Sequence, residues 1–64
     1  MRLRYRVVGR SGSTLVIESR LDDGRGFTTY IGEDWVARGE HIKVLREHAK
    51  SLLGVDVESV EEAD

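Results

Sequence analysis

Arg2, Arg4 and Arg6 interleave with Leu3, Tyr5 and Val7 at the start of this 64-residue chain. Guanidinium groups at every second position suit bidentate hydrogen bonding to phosphates or to the acceptor edge of guanine. Successive side chains of a strand point to opposite faces, so this spacing gathers the arginines on one face and the apolar residues on the other. Arg20, Thr28 and Tyr30 fall at positions that join the arginine face, together with Thr14 and one acid, Glu18. They add a fourth guanidinium, a hydroxyl, and an aromatic ring that can stack on a base or hydrogen-bond a phosphate. The candidate nucleic-acid-binding set is therefore Arg2, Arg4, Arg6, Arg20, Thr28 and Tyr30. The same pattern also suits a plain solvated surface, since edge-strand arginines discourage aggregation.

Other chemistries find less support. His41 and His48 stand seven apart, two helical turns or about 10.5 Å of rise, too far to share one ion. Each is expected at the margin of a buried helix stripe. Asp22 and Asp23 sit in a turn, where Asp stabilises the backbone. Glu33 and Asp34 lead into the next element. The serines have no histidine or acid placed to activate them. "GRSG" and "GRG" connect strand to strand, whereas a phosphate-binding glycine loop runs from a strand into a helix. The expectation is a non-catalytic protein with no metal and no cofactor.

The elements that would position the arginines read as strands followed by a helix. A first strand over 2–8 is broken by the turn-forming "GRSGS". A second over 14–21 alternates Leu15, Ile17 and Leu21 against Thr14, Val16, Glu18 and Arg20. "DDGRG" then signals a tight turn with Gly24 at positive φ, and a third strand over 27–31 sets Phe27, Thr29 and Ile31 against Thr28 and Tyr30. The predicted inner face is Leu3, Tyr5, Val7, Leu15, Ile17, Leu21, Phe27 and Ile31. From Glu40 the period changes, with Ile42, Leu45, Ala49 and Leu52 on one helical stripe, Leu53 widening it and Trp35 in line upstream. Gly54 is a C-terminal stop with Lys50 near the negative helix end. Trp35–Arg38 is read as a short extended piece with Gly39 as the boundary. The alternative is a helix starting at Trp35, capped by Asp34, that tolerates Gly39 at about 1 kcal/mol.

The predicted fold class is α+β: a two-layer β-β-β-α domain over residues 1–54, its three-stranded antiparallel sheet covered on one face by the C-terminal helix. Residues 55–64 are expected to form an acidic tail, with Val55 and Val57 in a short edge strand or a dimer contact and the last four or five residues without fixed structure.

Composition bounds the function classes. A domain of this length without cysteine has no disulfide or thiolate metal site, so it rests on one core or on a partner subunit. No apolar run approaches the ~20 residues of a membrane span and no signal sequence is visible, so a cytoplasmic protein without membrane contact is expected. The net charge of −2 conceals a division: residues 1–32 carry six arginines against three acids, and residues 33–64 four bases against nine acids. The acidic balance argues against a strong duplex binder. Val16, Val36, Val44, Val57 and Val60 fall off the predicted core faces and would form a homodimer interface if exposed together.

The stretch "DDGRGFTTYI…VARGEHIKVLREHAKSLL", Asp22 to Leu53, resembles the HicB-like antitoxin domain. That family runs a strand, a "DG-G-aromatic-x-x-Tyr" turn and strand, a "G-(D/E)" step and an amphipathic helix. Gly26, Phe27 and Tyr30 match the turn and strand, Gly39 and Glu40 the step, and Glu47, Ala49 and Leu53 the helix register. About half the chain is covered by these short motifs. The family's Leu-Pro-Gly loop is missing, His41 stands where Thr is usual, and the DNA-binding segment usual after the helix has no counterpart in residues 55–64. The resemblance implies a β-β-β-α fold that binds a ribonuclease toxin, often as an oligomer. "GRGFTTYIG" followed by a helix is also similar to the arm-binding domain of tyrosine recombinases, without that domain's basic charge. The leading expectation is a small regulatory module that binds DNA or RNA through its basic outer sheet face. The alternatives are an antitoxin-type protein-binding domain and a structural homo-oligomer.

Overall fold

Alternation of apolar and polar residues makes the first half of the chain a meander, and short glycine-containing turns fix its register. The computed structural model describes residues 1–63. Strands β1 (Arg2–Ser11), β2 (Thr14–Leu21) and β3 (Gly26–Gly32) pair antiparallel in sequence. β1 runs three residues further than predicted, through Gly9, Arg10 and Ser11, and turns at Gly12 and Ser13. It does so by absorbing a bulge between Val7 and Gly9, which changes the phase of the strand. Arg10 consequently lies opposite Leu15 and is bonded to Glu33 Oε2 at 2.6 Å, outside the row formed by the first three arginines.

Helix α1 (Glu33–Ala37) is a single turn where an extended piece was expected, and it follows β3 directly, with Gly32 and not Asp34 at its N-cap. Gly39, at φ +79°, separates it from α2 (His41–Leu53). That backbone conformation is open to glycine at little cost, so the boundary predicted at Gly39 holds. Gly54 closes α2 in the left-handed region at φ +67°, its N–H bonded to the Lys50 carbonyl.

The buried line of α2 is His41, Leu45 and Ala49, spaced i, i+4 and i+8, with Ile42, Val44 and Leu53 packed at its sides. His41 is thus central, not marginal. Leu52 keeps the angular register of the stripe but lies in the last turn and is 61% exposed. Trp35 belongs to α1 and is half-exposed, so it does not extend the stripe. The core joins this line to Leu3, Tyr5, Ile17, Leu21 and Ile31, with Leu3, Ile17 and Leu45 fully buried. Val7, expected inside, is 42% exposed where the bulge begins.

The sheet has four strands in the order β3-β2-β1-β4 and is mixed, which corrects the three-stranded antiparallel expectation. β4 (Ser59–Glu62) runs parallel to β1, with Ser59, Val60, Glu61 and Glu62 opposite Arg2, Leu3, Arg4 and Tyr5. A parallel pair needs a crossover connection, and the helical layer supplies it. α2 reaches both β3 and β4, so it crosses the inner face between the two edges. The last residues, expected to lack fixed structure, are instead held as far as Ala63, Asp64 lying outside the described residues: Glu58 N donates to the Met1 carbonyl at 3.0 Å just before β4 and Ala63 N to the Tyr5 carbonyl at 2.7 Å just after it. Arg46 donates to the Glu58 carbonyl and Lys50 to Asp56. Val36, Val44, Val57 and Val60 pack against the domain's own core and do not form an exposed cluster. Among the described residues no helix is long and apolar enough to cross a membrane.

Candidate nucleic-acid interface

The face of the sheet away from the helices is organised in cross-strand rungs. One rung holds Glu61, Arg4, Arg20 and Gly26; the next holds Arg6, Glu18 and Thr28; the third holds Gly9, Val16 and Tyr30. Arg2 lies opposite Ser59 on the β4 side. All six predicted site residues are exposed, and Tyr30, at 72%, is the most open of the large hydrophobic side chains among the described residues. Arg2, Arg4, Arg6 and Arg20 gather at one end of the face, with Thr28 on the Arg6 rung. Tyr30 stands apart from the arginines, on the far edge strand and one rung beyond Arg6.

The arginines are not equivalent. Arg20 donates to the Gly24 carbonyl at 3.1 Å and has Glu18 at 3.9 Å, so its side chain is partly held. Arg2, Arg4 and Arg6 make no side-chain hydrogen bond or ion pair among the described residues. Arg4 also faces Arg20 directly across β1 and β2, an arrangement of like charges that costs stability unless an anion lies between them. A shallow depression of about 490 Å³ opens at this spot, lined by Arg4, Arg6, Arg20, Glu18 and Asp22. Arg10 and Arg25 are used elsewhere, in pairs with Glu33 and Asp23. The Arg25 backbone N–H, donating to Asp23 at 3.0 Å, and then its guanidinium hold the Asp23 carboxyl below the usual carboxylate range.

Two features of the face were not legible in the chain. Glu61 comes to lie beside Arg4 only because β4 joins the sheet in parallel register. Val16 faces Tyr30 through the regular β2-β3 pairing, but Gly9, and not Val8, joins their rung only because the bulge slips β1 by one residue. A glycine embedded in an alternating run is the one local signal of such a bulge.

On the opposite face two sheet hydroxyls are matched to helix histidines, whereas Ser19 Oγ and His41 Nδ1 are buried without a partner among the described residues. The Tyr5 hydroxyl shares a hydrogen bond with His41 Nε2 at 2.8 Å, and Thr29 Oγ1 lies 3.1 Å from His48 Nδ1. Burial first, and the nearby Glu62 carboxylate second, push the Tyr5 hydroxyl above the ordinary tyrosine value. The two histidines thus serve two separate contacts of the sheet-helix interface. Among the described residues no three His, Cys, Asp or Glu side chains are grouped to hold a metal ion. No protein-family model, curated protein or solved structure matches this chain.

Proposed function

We propose that this chain is a small non-catalytic module that binds nucleic acid through the outer face of its sheet. The observation that carries the reading is the row Arg2, Arg4 and Arg6 on β1, without side-chain partners among the described residues and with Arg4 opposite Arg20. Alternate strand residues lie about 6.6 Å apart, comparable to the separation of neighbouring phosphates on one nucleic-acid strand. Unpaired guanidiniums need no rearrangement to bind an anion, and a phosphate between Arg4 and Arg20 relieves their repulsion. The depression beside them gives the anion a seat.

Fluorescence anisotropy with labelled oligonucleotides, at low and physiological salt, tests this on the wild type and on Arg4→Glu/Arg6→Glu. With four phosphates neutralised, log K should fall with log salt at a slope of about −3 for a single strand. Loss of salt-sensitive binding in the double variant is the expected result. No binding at low salt would sink the reading and favour a protein partner of the antitoxin type. Support for that second reading comes from the exposed apolar side chains Trp35 and Leu52 on the helices.

A further inference from the structure

The outer face divides into a cationic end and an uncharged end, and the division bears on which form of nucleic acid it takes. The rung of Gly9, Val16 and Tyr30 carries no charge. Tyr30 is 72% exposed, an unusual placement for a large aromatic side chain with no partner of its own. Beside it the surface is low: Gly9 has no side chain, and a Cβ built there would meet only Val16, at 3.8 Å. Val16 is half-buried between the two. An open ring beside a low apolar floor is a platform for one flat, unpaired base.

Tyr30, on β3, lies two strand spacings from β1, about 10 Å across the sheet. A nucleotide whose phosphate sits on the arginines of β1 can therefore reach across the face to lay a base on Tyr30. A duplex cannot use this platform, because its bases are already stacked and paired inside the helix. The charge distribution points the same way. A duplex carries a phosphate charge every ~1.7 Å of axis, and its affinity comes from neutralising many of them. This face interrupts its arginines with Glu18 on the Arg6 rung and Glu61 on the Arg4 rung. A lone strand, with half that charge density and a flexible backbone, can follow the arginines and avoid the carboxylates.

We infer that the ligand is a single-stranded nucleic acid, its phosphates on Arg2, Arg4 and Arg6 and an unpaired base stacked on Tyr30 over Gly9 and Val16. This rests on the nucleic-acid reading above and narrows it. Phosphate and base chemistry are shared by DNA and RNA, so the test carries both.

Anisotropy titrations with a labelled single strand of about ten nucleotides, as DNA and as RNA, and with the matching duplexes, compare wild type, Tyr30→Ala, Tyr30→Phe and Arg4→Glu/Arg6→Glu. Circular dichroism confirms that each variant is folded. The expected result is tighter binding of a single strand than of either duplex. Tyr30→Ala should weaken the single strand about five- to a hundredfold, Tyr30→Phe should retain affinity, and weak duplex binding should be unchanged by either. Equal or tighter duplex binding, or single-strand affinity indifferent to Tyr30→Ala, overturns the inference while nucleic-acid binding stands. No binding of any oligonucleotide at low salt, or wild-type affinity in the double arginine variant, overturns both.

Discussion

The two faces of β1 are built from adjacent residues of one strand, yet they have opposite relations to their surroundings. Leu3 and Tyr5 point into the domain, and even the polar end of Tyr5 is bonded to His41. Arg2, Arg4 and Arg6, one residue away in each case, point outward and find no side-chain partner among the described residues. Inside, an unmatched polar group carries the full cost of desolvation, so Thr29 faces His48 and Tyr5 faces His41. Outside, water solvates a free guanidinium at no such cost, which leaves it available to a ligand. The inner face is therefore where substitutions should change folding, and the outer face where they should change binding.

The largest break in that contrast comes from the core. Leu45→Ala, at a fully buried position in the centre of α2, should cost about 2–5 kcal/mol, enough to unfold much of a domain this small. Urea denaturation measures it. Tyr5→Phe should cost about 1–3 kcal/mol by leaving His41 Nε2 without its partner, next to a buried Nδ1 that already lacks one. The same substitution has a pH signature. Burial raises the Tyr5 hydroxyl in the folded state, so its neutral form is favoured there and its stabilisation is complete below the unfolded value, about pH 10. That stabilisation is lost as pH rises through the folded value. Melting curves above pH 10 should fall more steeply for the wild type than for Tyr5→Phe.

Gly26→Ala probes the rim of the outer face, where a Cβ would lie 2.6 Å from the Ser19 carbonyl oxygen. The backbone must shift, and about 1–3 kcal/mol of stability should go with it. The double variant Arg4→Glu/Arg6→Glu is expected to melt within about 1 kcal/mol of the wild type despite abolishing oligonucleotide binding. A large loss of stability there would erase the distinction between the faces. The smallest effect belongs to Glu61→Gln, which removes the carboxylate beside Arg4 and should strengthen binding a few-fold at low salt, with the gain fading at high salt.

Much of this architecture is legible locally. The turns at Gly12 and Gly24, the exposed positions of the six site residues and the stop at Gly54 all follow from alternation, turn chemistry and the left-handed cap. β4 escaped because Ser59–Glu62 has two acids and low strand propensity; backbone pairing to the open edge of β1 holds it. The helix stripe was misjudged by one position because His41 reads as polar, and nothing in the sequence signals that Tyr5, 36 residues away, satisfies its ring.

Period-two alternation is a property of consecutive residues, and so the order of residues alone puts the arginines on a shared face and keeps that face out of the core. The company they keep was decided by the tertiary structure. Pairing across strands set Arg4 against Arg20 and Val16 against Tyr30, parallel docking brought Glu61 beside Arg4, and one bulge moved Gly9 level with Val16 and Tyr30. Register between distant segments depends on the energy of the whole sheet and its helical cover, and no local pattern in the chain contains it.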